Sequence, residues 1–367
     1  MDLIKRTQCT ICNLSIDKLF TFKNFPVSMG ISKSEDQYID QDWCICSYCG
    51  CIQLENLIPI ETLYKHPHNP AIGNSWANHN ESFSKFVLNN SWGNIIEIGG
   101  GNGKIAKLIA PNRENQYLIF DKHLYSFIHD SVVCSGSFYD PCERYSFSCG
   151  TIISSHMVEH MYNPRDYFQS FYEKLPAGGR VIFSFPNITA GLTDKFLNTL
   201  NFEHTYQIDP SYLKCMMESN GFRLICSEEF TKYNQFMCFE KYKISHQDHV
   251  NRYQTNKRIF NEFIASNLDE ADKIISLICD SKKKRYIFGC HVFSQYLLHF
   301  GLNKIQFDGI IDNDPNKIGK RLYGTNLKVF PSSIVSDIDS VVVVRAGIYT
   351  NEVIDTLKSF NRDCEII

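Results

Sequence analysis

Short apolar runs alternate with segments of helical spacing between residues 95 and 185, and this alternation limits the possible folds more than any other feature of the sequence. The apolar runs are residues 95–98, 117–120, 131–134, 151–154 and 180–185. Such alternation is typical of parallel strands joined by crossover helices. Two further runs, 222–226 and 235–239, follow a helix that we expect to start near Pro210 and to end at Gly221. The sequence therefore predicts an α/β fold with a seven-stranded, doubly wound sheet whose last two strands form a hairpin.

The chain has 367 residues, which is enough for two or three domains with cores of their own. We divide it into a cysteine-rich segment, the α/β unit, a polar helical linker and a second α/β unit. Their predicted bounds are 1–62, 63–242, 243–284 and 285–367. In the last unit, apolar runs at 285–289, 307–312 and 341–344 precede a helical segment near 350–360. This pattern predicts a smaller, Rossmann-like C-terminal domain.

Charge and hydropathy exclude several classes of partner. Lys and Arg number 37 against 40 Asp and Glu, so the net charge of -3 provides no broad basic surface for nucleic acid or anionic lipid. No apolar run approaches the roughly 18 residues of a membrane span, and the first residues contain no apolar signal-peptide core. We therefore expect a cytoplasmic protein that binds neither nucleic acid nor membrane, and the sequence leaves the oligomeric state open.

A glycine-rich turn directly follows the first of these strands, in the sequence Glu97-Ile-Gly99-Gly-Gly101-Asn-Gly103. Glycines there allow a tight connection from strand to helix and a close approach of the backbone to a ligand. Asp121 ends the next strand, where its carboxylate can bind both ribose hydroxyls of an adenosine. NAD, flavin and S-adenosylmethionine (SAM) sites all use such a turn. The glutamate two positions before the first glycine favours SAM, whereas Asp121 fits NAD equally well.

The segment after the fourth predicted strand distinguishes a SAM site from an NAD site. It reads Ser-Ser-His156-Met-Val-Glu159-His160 and leads into a helix and a fifth strand. Together with the glycine turn, this order resembles class I SAM-dependent methyltransferases over about residues 90–240. The donor-binding residues that the resemblance implies are Glu97, Gly99, Gly101, Gly103, Asp121, Ser137, Phe138, Ser155 and His156. In that family the segment after strand four borders the methionine half of the donor, and Ser137 and Phe138 would lie at the adenine edge.

Fifteen cysteines occur in the chain, and six of them lie in its first 51 residues. Two C-x-x-C pairs in this segment, separated by 33 residues, provide the four thiolates of a tetrahedral structural zinc site. Their residues are Cys9, Cys12, Cys46 and Cys49. Zinc would stabilise a segment that could not form a core by itself. Cys44 and Cys51 offer a competing register, and buried or redox-active thiols are the alternative to a metal site.

A histidine beside a carboxylate, His204 next to Glu203, follows the fifth predicted strand. Such a pair at the carboxyl edge of the sheet can act as a general base near the bound donor, because histidine titrates close to neutral pH. We predict His204 as the base and Glu203 as the residue that orients it or stabilises its charged form. The alternative is a hydrogen-bonded surface histidine beside a solvated glutamate.

Across nearly the whole chain, the order of these motifs resembles the bacterial nucleotide-sugar C-methyltransferases. The similarity includes Phe-Pro-Val at 25–27, Cys-Gly-Cys-Ile-Gln-Leu at 49–54 and Ile-Asp-Asn-Asp-Pro-Asn-Lys-Ile-Gly at 311–319. That family joins a zinc-binding domain, a SAM-binding domain and a C-terminal α/β domain. Its Glu-His pair after the fifth strand removes a proton beside a 4-keto group, and Glu203-His204 matches that pair. The resemblance implies SAM-dependent methylation of an activated sugar, with a structural zinc ion.

Two tyrosines of the family have no counterpart where we expect them. One precedes the Glu-His pair, where this chain has Asn201-Phe202, and the other lies in the linker, here residues 66–79. This departure favours an alternative acceptor, the nitrogen or oxygen of another surface-glycan sugar such as an amidino-bearing nonulosonic acid. We expect the linker to line the acceptor pocket, with His79 as its substrate-side candidate. A non-catalytic, zinc-stabilised scaffold is a hypothesis of another class, which the intact glycine turn and Asp121 disfavour.

In the C-terminal unit, Gly289 and Asp312 mimic the glycine turn and the acidic partner of a nucleotide site. The second and third glycines of such a turn are missing from the sequence. We therefore expect a docking surface, or a surface for the nucleotide of the substrate, in place of a second cofactor site.

Overall fold

The computed structural model describes residues 1–32, 35–65, 74–122, 128–243, 251–336 and 338–367, and these ranges contain four β-sheets. One buried apolar cluster extends from Trp43 through Phe183 to Phe260 and Ile310, and so joins the N-terminal, central and C-terminal parts. Among the described residues, no helix combines the length and the apolar character needed to cross a membrane.

The N-terminal part is a small antiparallel β-structure. Its elements are β1 (Ile4–Lys5), β2 (Ile16–Pro26), β3 (Tyr38–Cys46), β4 (Ile52–Leu54), β5 (Asn56–Leu57) and helix α1 (Ile60–Leu63). Strands β2, β3 and β4 form one sheet, and β1 pairs with β5. Strand β4 also bonds to the loop that follows His204: the amide of Leu54 donates to the carbonyl of Thr205, and the amide of Gln207 donates to that of Ile52. The cysteine-rich segment therefore holds a loop of the central part in place.

The central part is the predicted seven-stranded sheet. Its strands are β6 (Ile95–Ile98), β7 (Tyr117–Phe120), β8 (Val132–Cys134), β9 (Thr151–Ser155), β10 (Arg180–Pro186), β11 (Phe222–Thr231) and β12 (Asn234–Lys241). Its helices are α2 (Asn74–Asn90), α3 (Lys104–Ile109), α4 (Pro164–Lys174), α5 (Ile188–Thr193) and α6 (Pro210–Ser219). The order is β11-β12-β10-β9-β6-β7-β8, with β12 antiparallel to both neighbours and the other pairs parallel. This arrangement confirms the predicted doubly wound α/β fold and its terminal hairpin.

The strand order reverses between β6 and β9, and this reversal determines where a ligand can bind. Ligands of open α/β sheets bind at such a point, outside the carboxyl ends of the parallel strands. The strands beneath it are rigidly packed, because Ile96, Ile152 and Val181 are completely buried. The loops that follow β6, β7, β9 and β10 therefore meet at one edge of a rigid sheet.

Helix α6 begins and ends where the sequence predicts. Asp209 caps it, since its Oδ1 accepts hydrogen bonds from the amides of Ser211 at 2.9 Å and Tyr212 at 3.0 Å, and Pro210 occupies the first turn. Gly221 follows the helix with a φ of 90°, a left-handed conformation that favours glycine.

The C-terminal part begins with one long helix, α7 (Tyr253–Ile278), where the sequence predicts connecting helices. Its strands are β13 (Lys284–Phe288), β14 (Gly309–Ile311), β15 (Val329–Phe330), β16 (Ser340–Val343) and β17 (Glu365–Ile366), and its other helices are α8 (Val292–Phe300) and α9 (Thr350–Phe360). The strands form a parallel sheet in the order β15-β14-β13-β16-β17. This is a Rossmann-like arrangement, as the alternating pattern predicts.

Asp312, the acidic residue that mimics a nucleotide partner, makes its contacts within the C-terminal sheet. Its Oδ2 accepts hydrogen bonds from the amide of Cys290 at 2.7 Å and from Nζ of Lys317 at 2.9 Å. The residue is only 8% exposed. The carboxylate therefore stabilises the turn after β13.

Candidate active site

Two neighbouring cavities lie at the carboxyl edge of the central sheet. The first, which we name the glycine-loop cavity, has a volume of about 560 Å³ and lies beside the glycine turn. The second, the interdomain cavity, has a volume of about 280 Å³ and lies between the central and C-terminal parts. His156 and His160 line both cavities. A molecule bound in one cavity is therefore next to a molecule bound in the other.

Several of the predicted donor-binding residues line the glycine-loop cavity. They are Gly99, Asp121, Ser137, Phe138 and His156. Gly101 and Gly103 form the turn beside it, with φ values of 50° and 69°. The positive φ of Gly103 favours glycine, and a Cβ atom there would lie 2.1 Å from Cδ1 of Ile128, so that side chain would have to move. The Oδ2 atom of Asp121 accepts a hydrogen bond from the amide of Gly101 at 2.8 Å, which ties the turn to the end of β7.

Glu97 lies beneath the glycine turn and outside the wall of the cavity. It is 2% exposed, and its Oε2 accepts a hydrogen bond from the hydroxyl of Tyr117 at 2.7 Å. Burial raises the pKa of Glu97 to about 7, and the nearby charge of Asp121 adds to the rise. Glu97 therefore supports the turn from below. A direct contact of Glu97 with the donor stays a prediction, as does one of Ser155, the last residue of β9.

Asp140 is an acidic residue of the cavity wall that sequence reasoning missed. It lies on the same side as Ser137 and Phe138, the residues predicted for the adenine edge. Its Oδ1 accepts a hydrogen bond from the amide of Cys142 at 2.8 Å, which holds the loop after β8. The sequence does show an aspartate shortly after the third strand. No motif surrounds it, so nothing in the sequence marks it as a site residue.

Glu159 is a buried carboxylate in the wall of the interdomain cavity, beside the two histidines that line both cavities. Its Oε1 lies 3.4 Å from Nδ1 of His156 and 3.6 Å from Nε2 of His160, and the side chain is 1% exposed. Burial alone would raise the pKa of Glu159, but the hydrogen bond from His156 and the charges of His160 and His204 lower it to about 2. His156 has a φ of 50°, a strained conformation that residues at functional sites often adopt. Two imidazoles are thus arranged around one carboxylate.

Glu203 and His204 line the interdomain cavity. Nδ1 of His204 lies 2.9 Å from the carbonyl oxygen of Thr199, and because a carbonyl only accepts, this nitrogen donates. Oε2 of Glu203 lies 4.0 Å from Nδ1 of His160. A backbone carbonyl therefore orients His204, where the sequence predicts that Glu203 does so. The turn itself is held by Asn201, whose side-chain oxygen accepts from the amides of both residues.

Tyr64 is a second residue that sequence reasoning missed. Its hydroxyl lies 3.0 Å from Nδ1 of His160, and its ring lines the glycine-loop cavity. Residues 66–79 contain no tyrosine, and Tyr64 lies just before them, at the end of α1. The chain therefore has a tyrosine near the linker after all. Residues 66–73, including His66 and His68, lie outside the described residues.

His79, the predicted substrate contact of the linker, is buried behind His156. It is 2% exposed, and its Nε2 lies 2.7 Å from the hydroxyl of Ser184. Its ring centre is 5.0 Å from that of His156. Burial and the neighbouring His156 lower the pKa of His79 to about 3, so the ring is neutral. His79 supports His156 from behind, whereas Trp76 is the residue of this helix that lines the interdomain cavity.

The far wall of the interdomain cavity comes from outside the central sheet. His291 and Tyr349 follow strands β13 and β16 of the C-terminal sheet, and Met29 belongs to the N-terminal part. All three parts of the chain therefore contribute to this cavity. Only the three-dimensional arrangement brings these residues together, because they are separated by long stretches of sequence.

The structure brings together the four cysteines of the two C-x-x-C pairs. They are Cys9, Cys12, Cys46 and Cys49, and their sulfur atoms lie within 4.8 Å of one another. Hydrogen bonds from Cys12, Cys49 and Cys9 lower the pKa of the Cys46 thiol. The thiols of Cys44 and Cys51 instead donate to the carbonyls of Gln53 and Gln207. Cys44 and Cys51 therefore lie outside the four-sulfur cluster, and zinc binding by that cluster stays a prediction.

Comparisons with known proteins bear on the central part. Residues 77–227 match a family model described as a methyltransferase domain. A comparison with curated proteins found no match. Among solved structures, the chain is similar to the N-methyltransferase NodS from Bradyrhizobium japonicum WM9, at 11% identity over 46% of this chain and 98% of that one, with a TM-score of 0.35. It is also similar to human N-acetylserotonin methyltransferase, at 15% identity over 46% of this chain and 53% of that one, with a TM-score of 0.37.

The identification of the chain rests on the family match and on its own fold. The matched residues include strands β6 to β10, the glycine turn and the shared wall of the two cavities. The sheet has the class I methyltransferase fold, with parallel strands and the antiparallel β12. The chain is therefore a SAM-dependent methyltransferase, with a class I methyltransferase domain at its centre.

Proposed function

We propose that this methyltransferase acts on an activated bacterial sugar, which binds in the interdomain cavity while SAM binds in the glycine-loop cavity. The observation that carries the proposal is that the two cavities meet at His156 and His160. Methyl transfer from a sulfonium is an in-line displacement, so the donor and the acceptor must be held side by side. Two adjoining cavities meet this requirement.

On the donor side, the wall of the glycine-loop cavity has the chemistry that SAM needs. The carboxylate of Asp121 accepts hydrogen bonds from the two ribose hydroxyls, and hydrogen bonds to a charged group contribute roughly 1.5–3 kcal/mol. Ser137 and Phe138 border the adenine, and Gly99 and His156 border the methionine half. The proximity of these residues around one cavity supports these roles.

On the acceptor side, the interdomain cavity has the polarity that a sugar requires. Four asparagine side chains line it, and amides can both donate to and accept from hydroxyl groups. They are Asn187, Asn198, Asn201 and Asn234. We assign removal of the acceptor's proton to Glu203 and His204, which lie in the same wall. Nε2 of His204 can serve in this role, because Nδ1 donates to a carbonyl.

The four clustered thiols hold a structural zinc ion in this proposal. Zinc prefers four thiolates in a tetrahedral arrangement, and the sulfur atoms of the four cysteines lie within 4.8 Å of one another. Four protein ligands leave no coordination position for a substrate. The ion therefore stabilises the N-terminal part and takes no part in methyl transfer.

A second candidate acceptor is a nitrogen or an oxygen of another surface-glycan sugar. The observation that favours it concerns Asn201-Phe202, the two residues before the Glu-His pair, where the C-methyltransferases have a tyrosine and this chain has none. Phe202 is 3% exposed and packs against Phe25, with ring centres 6.0 Å apart. This position therefore offers the acceptor no phenolic hydroxyl.

Isotope exchange tests the acceptor atom. A C-methyltransferase must first remove a carbon-bound proton, so we expect the wild-type enzyme to exchange the proton beside the keto group of a 4-keto nucleotide sugar in deuterated water. A non-reactive SAM analogue fills the donor site during exchange, and methyl-labelled SAM then reports transfer by mass spectrometry. Methylation at nitrogen or oxygen without exchange would establish the second candidate. Binding of SAM without methylation of any nucleotide sugar would contradict the sugar proposal.

A further inference from the structure

We propose that Glu159, His160 and His204 form a binding site for a divalent transition-metal ion at the junction of the two cavities. One carboxylate oxygen of Glu159 and one ring nitrogen of each histidine lie within 4.8 Å of one another. The three residues come from the segment after β9 and from the loop after α5, so the fold and not the sequence brings them together. This inference rests on the proposed acceptor cavity, because all three residues line it.

The hydrogen bonds of the two histidines prepare them as metal ligands. A histidine ligand usually donates its second ring N–H to a neighbouring acceptor, which fixes the tautomer and leaves a lone pair on the first nitrogen. Nδ1 of His204 donates to the carbonyl of Thr199 at 2.9 Å. Nδ1 of His160 lies 3.0 Å from the hydroxyl oxygen of Tyr64, and its Nε2 lies 3.6 Å from Oε1 of Glu159. Nε2 is therefore the nitrogen of His160 that faces the carboxylate, and Nε2 of His204 is the nitrogen left without the bond to Thr199.

The carboxylate of Glu159 supplies an independent observation. Its side chain is 1% exposed, and within the described residues its Oε2 has no hydrogen-bond partner. A buried polar atom without a partner destabilises the folded protein, and more so when it is charged. A metal ion bound to Glu159 would remove this destabilisation. The ion would also neutralise the negative charge of this buried carboxylate.

The ligand set indicates the kind of metal. Two imidazoles and one carboxylate suit Zn²⁺, Mn²⁺, Fe²⁺ or Co²⁺, whereas Mg²⁺ and Ca²⁺ prefer oxygen ligands alone. Three protein ligands also leave coordination positions open, as in catalytic metal sites. The four N-terminal thiolates are softer ligands and form a closed set. The chain would therefore hold two metals of different function.

The proposed ion defines what the acceptor must carry. An ion in the wall of the interdomain cavity can bind a keto or hydroxyl oxygen and stabilise the negative charge that develops there. With Nε2 of His204 bound to the ion, that nitrogen cannot act as the base, so in the metal-bound enzyme Glu203 alone takes the proton from the acceptor. The methyl group leaves the sulfonium for the deprotonated acceptor atom, and the donor becomes the neutral thioether. Acceptors without an oxygen next to the methylated atom should react poorly.

Binding of Mn²⁺ tests the site without SAM or acceptor. Mn²⁺ is paramagnetic, so the sharp resonance of the free ion falls as the protein binds it, and Mn²⁺ does not compete well for a thiolate site. We expect wild-type protein to bind one Mn²⁺ per chain beyond its zinc. Glu159→Gln and His204→Asn should each weaken this binding by roughly 10-fold or more, since loss of a metal-site residue typically costs at least that. His129→Asn is the matched control, because His129 lies outside both cavities and bonds to Ser131.

The outcomes separate this inference from the proposed function. Absence of Mn²⁺ binding, together with absence of a second Co²⁺ or Zn²⁺ equivalent, would overturn the metal site while leaving SAM binding and methyl transfer untouched. Binding that persists in both variants would overturn it as well. If a variant fails to fold, titration of the wild-type protein with Co²⁺ still tests the metal site. Co²⁺ bound by imidazole and carboxylate ligands lacks the intense thiolate-to-metal absorption that Co²⁺ in the N-terminal site would give.

Discussion

Replacement of Cys46 by serine is expected to remove the zinc ion and to unfold the N-terminal part. Cys46 lies at the end of β3, where its thiol is 3.4 Å from that of Cys12 and its amide bonds to the carbonyl of Cys51. Structural zinc sites in small domains contribute on the order of 10 kcal/mol, because the apo segment cannot fold alone. Metal analysis should therefore give about one zinc per wild-type chain and none in Cys46→Ser. Limited proteolysis should cut the variant within residues 1–57.

The matched control for this prediction is Cys44→Ser. The thiol of Cys44 donates to the carbonyl of Gln53 and takes no part in the cluster, and a serine hydroxyl can donate in the same way. This variant should retain its zinc. A Cys46→Ser protein with unchanged zinc content, or a natively purified wild-type protein without zinc, would contradict the prediction.

Loss of the proposed zinc ion should also reduce methyl transfer, although the four cysteines lie outside both cavities. Strand β4 bonds to Thr205 and Gln207, which directly follow the Glu-His pair. The N-terminal part thus restrains the loop that carries His204. Cys46→Ser is expected to lower turnover more than SAM affinity, because the walls of the glycine-loop cavity come mainly from the central sheet.

Replacement of His204 by asparagine is expected to lower turnover by about 100-fold or more, a typical loss when a group that assists proton transfer is removed. The change removes Nε2 from the wall of the interdomain cavity, while the asparagine amide can still donate to the carbonyl of Thr199. SAM affinity should stay nearly unchanged, because His204 does not line the glycine-loop cavity. Steady-state assays with saturating SAM, compared with calorimetry of SAM binding, separate the two effects.

His129→Asn again serves as the control for the loss of a histidine. It should turn over at the wild-type rate, since its partner Ser131 lies at the start of β8, away from the interdomain cavity. Turnover of His204→Asn within about 3-fold of wild type would be far less than the loss expected for this role. In that case neither proton removal nor metal binding could be assigned to His204.

The sheet could be predicted from the sequence because its signal is local. The parallel strands β6, β7, β9 and β10 are mostly buried and therefore appear as continuous apolar runs, and crossover connections separate the runs, whereas β8 at the edge is partly exposed. The cysteine cluster was predictable for a similar reason, since the spacing within each C-x-x-C pair brings two thiols to one ligand set. Helix α6 carried its own signals in Asp209, Pro210 and Gly221.

The details of the site depend on contacts between distant segments, and there the sequence was a weaker guide. Tyr64 and His160 are 96 positions apart and meet only in the fold. His79 was predicted to face the substrate, but the helix that carries it turns this ring toward Ser184 and presents Trp76 to the cavity. His204 is oriented by the backbone carbonyl of Thr199. Every residue has a backbone carbonyl, so the sequence cannot show which one forms this contact. Sequence patterns thus identify the residues of a site reliably. They are less reliable about the hydrogen bonds that those residues form.

The central claim is that the glycine-loop cavity binds SAM, and calorimetric titration of wild type and Asp121→Ala tests it most directly. Wild-type protein should bind SAM and show no comparable binding of NAD. Asp121→Ala should weaken SAM binding by roughly 1.5–3 kcal/mol, because it removes the carboxylate that we propose accepts hydrogen bonds from the ribose. Asp363→Ala is the control, because Asp363 is exposed and lies near the end of the C-terminal part. This variant should bind SAM as the wild type does. Tight binding of NAD without binding of SAM, or unchanged SAM affinity in Asp121→Ala, would contradict the account.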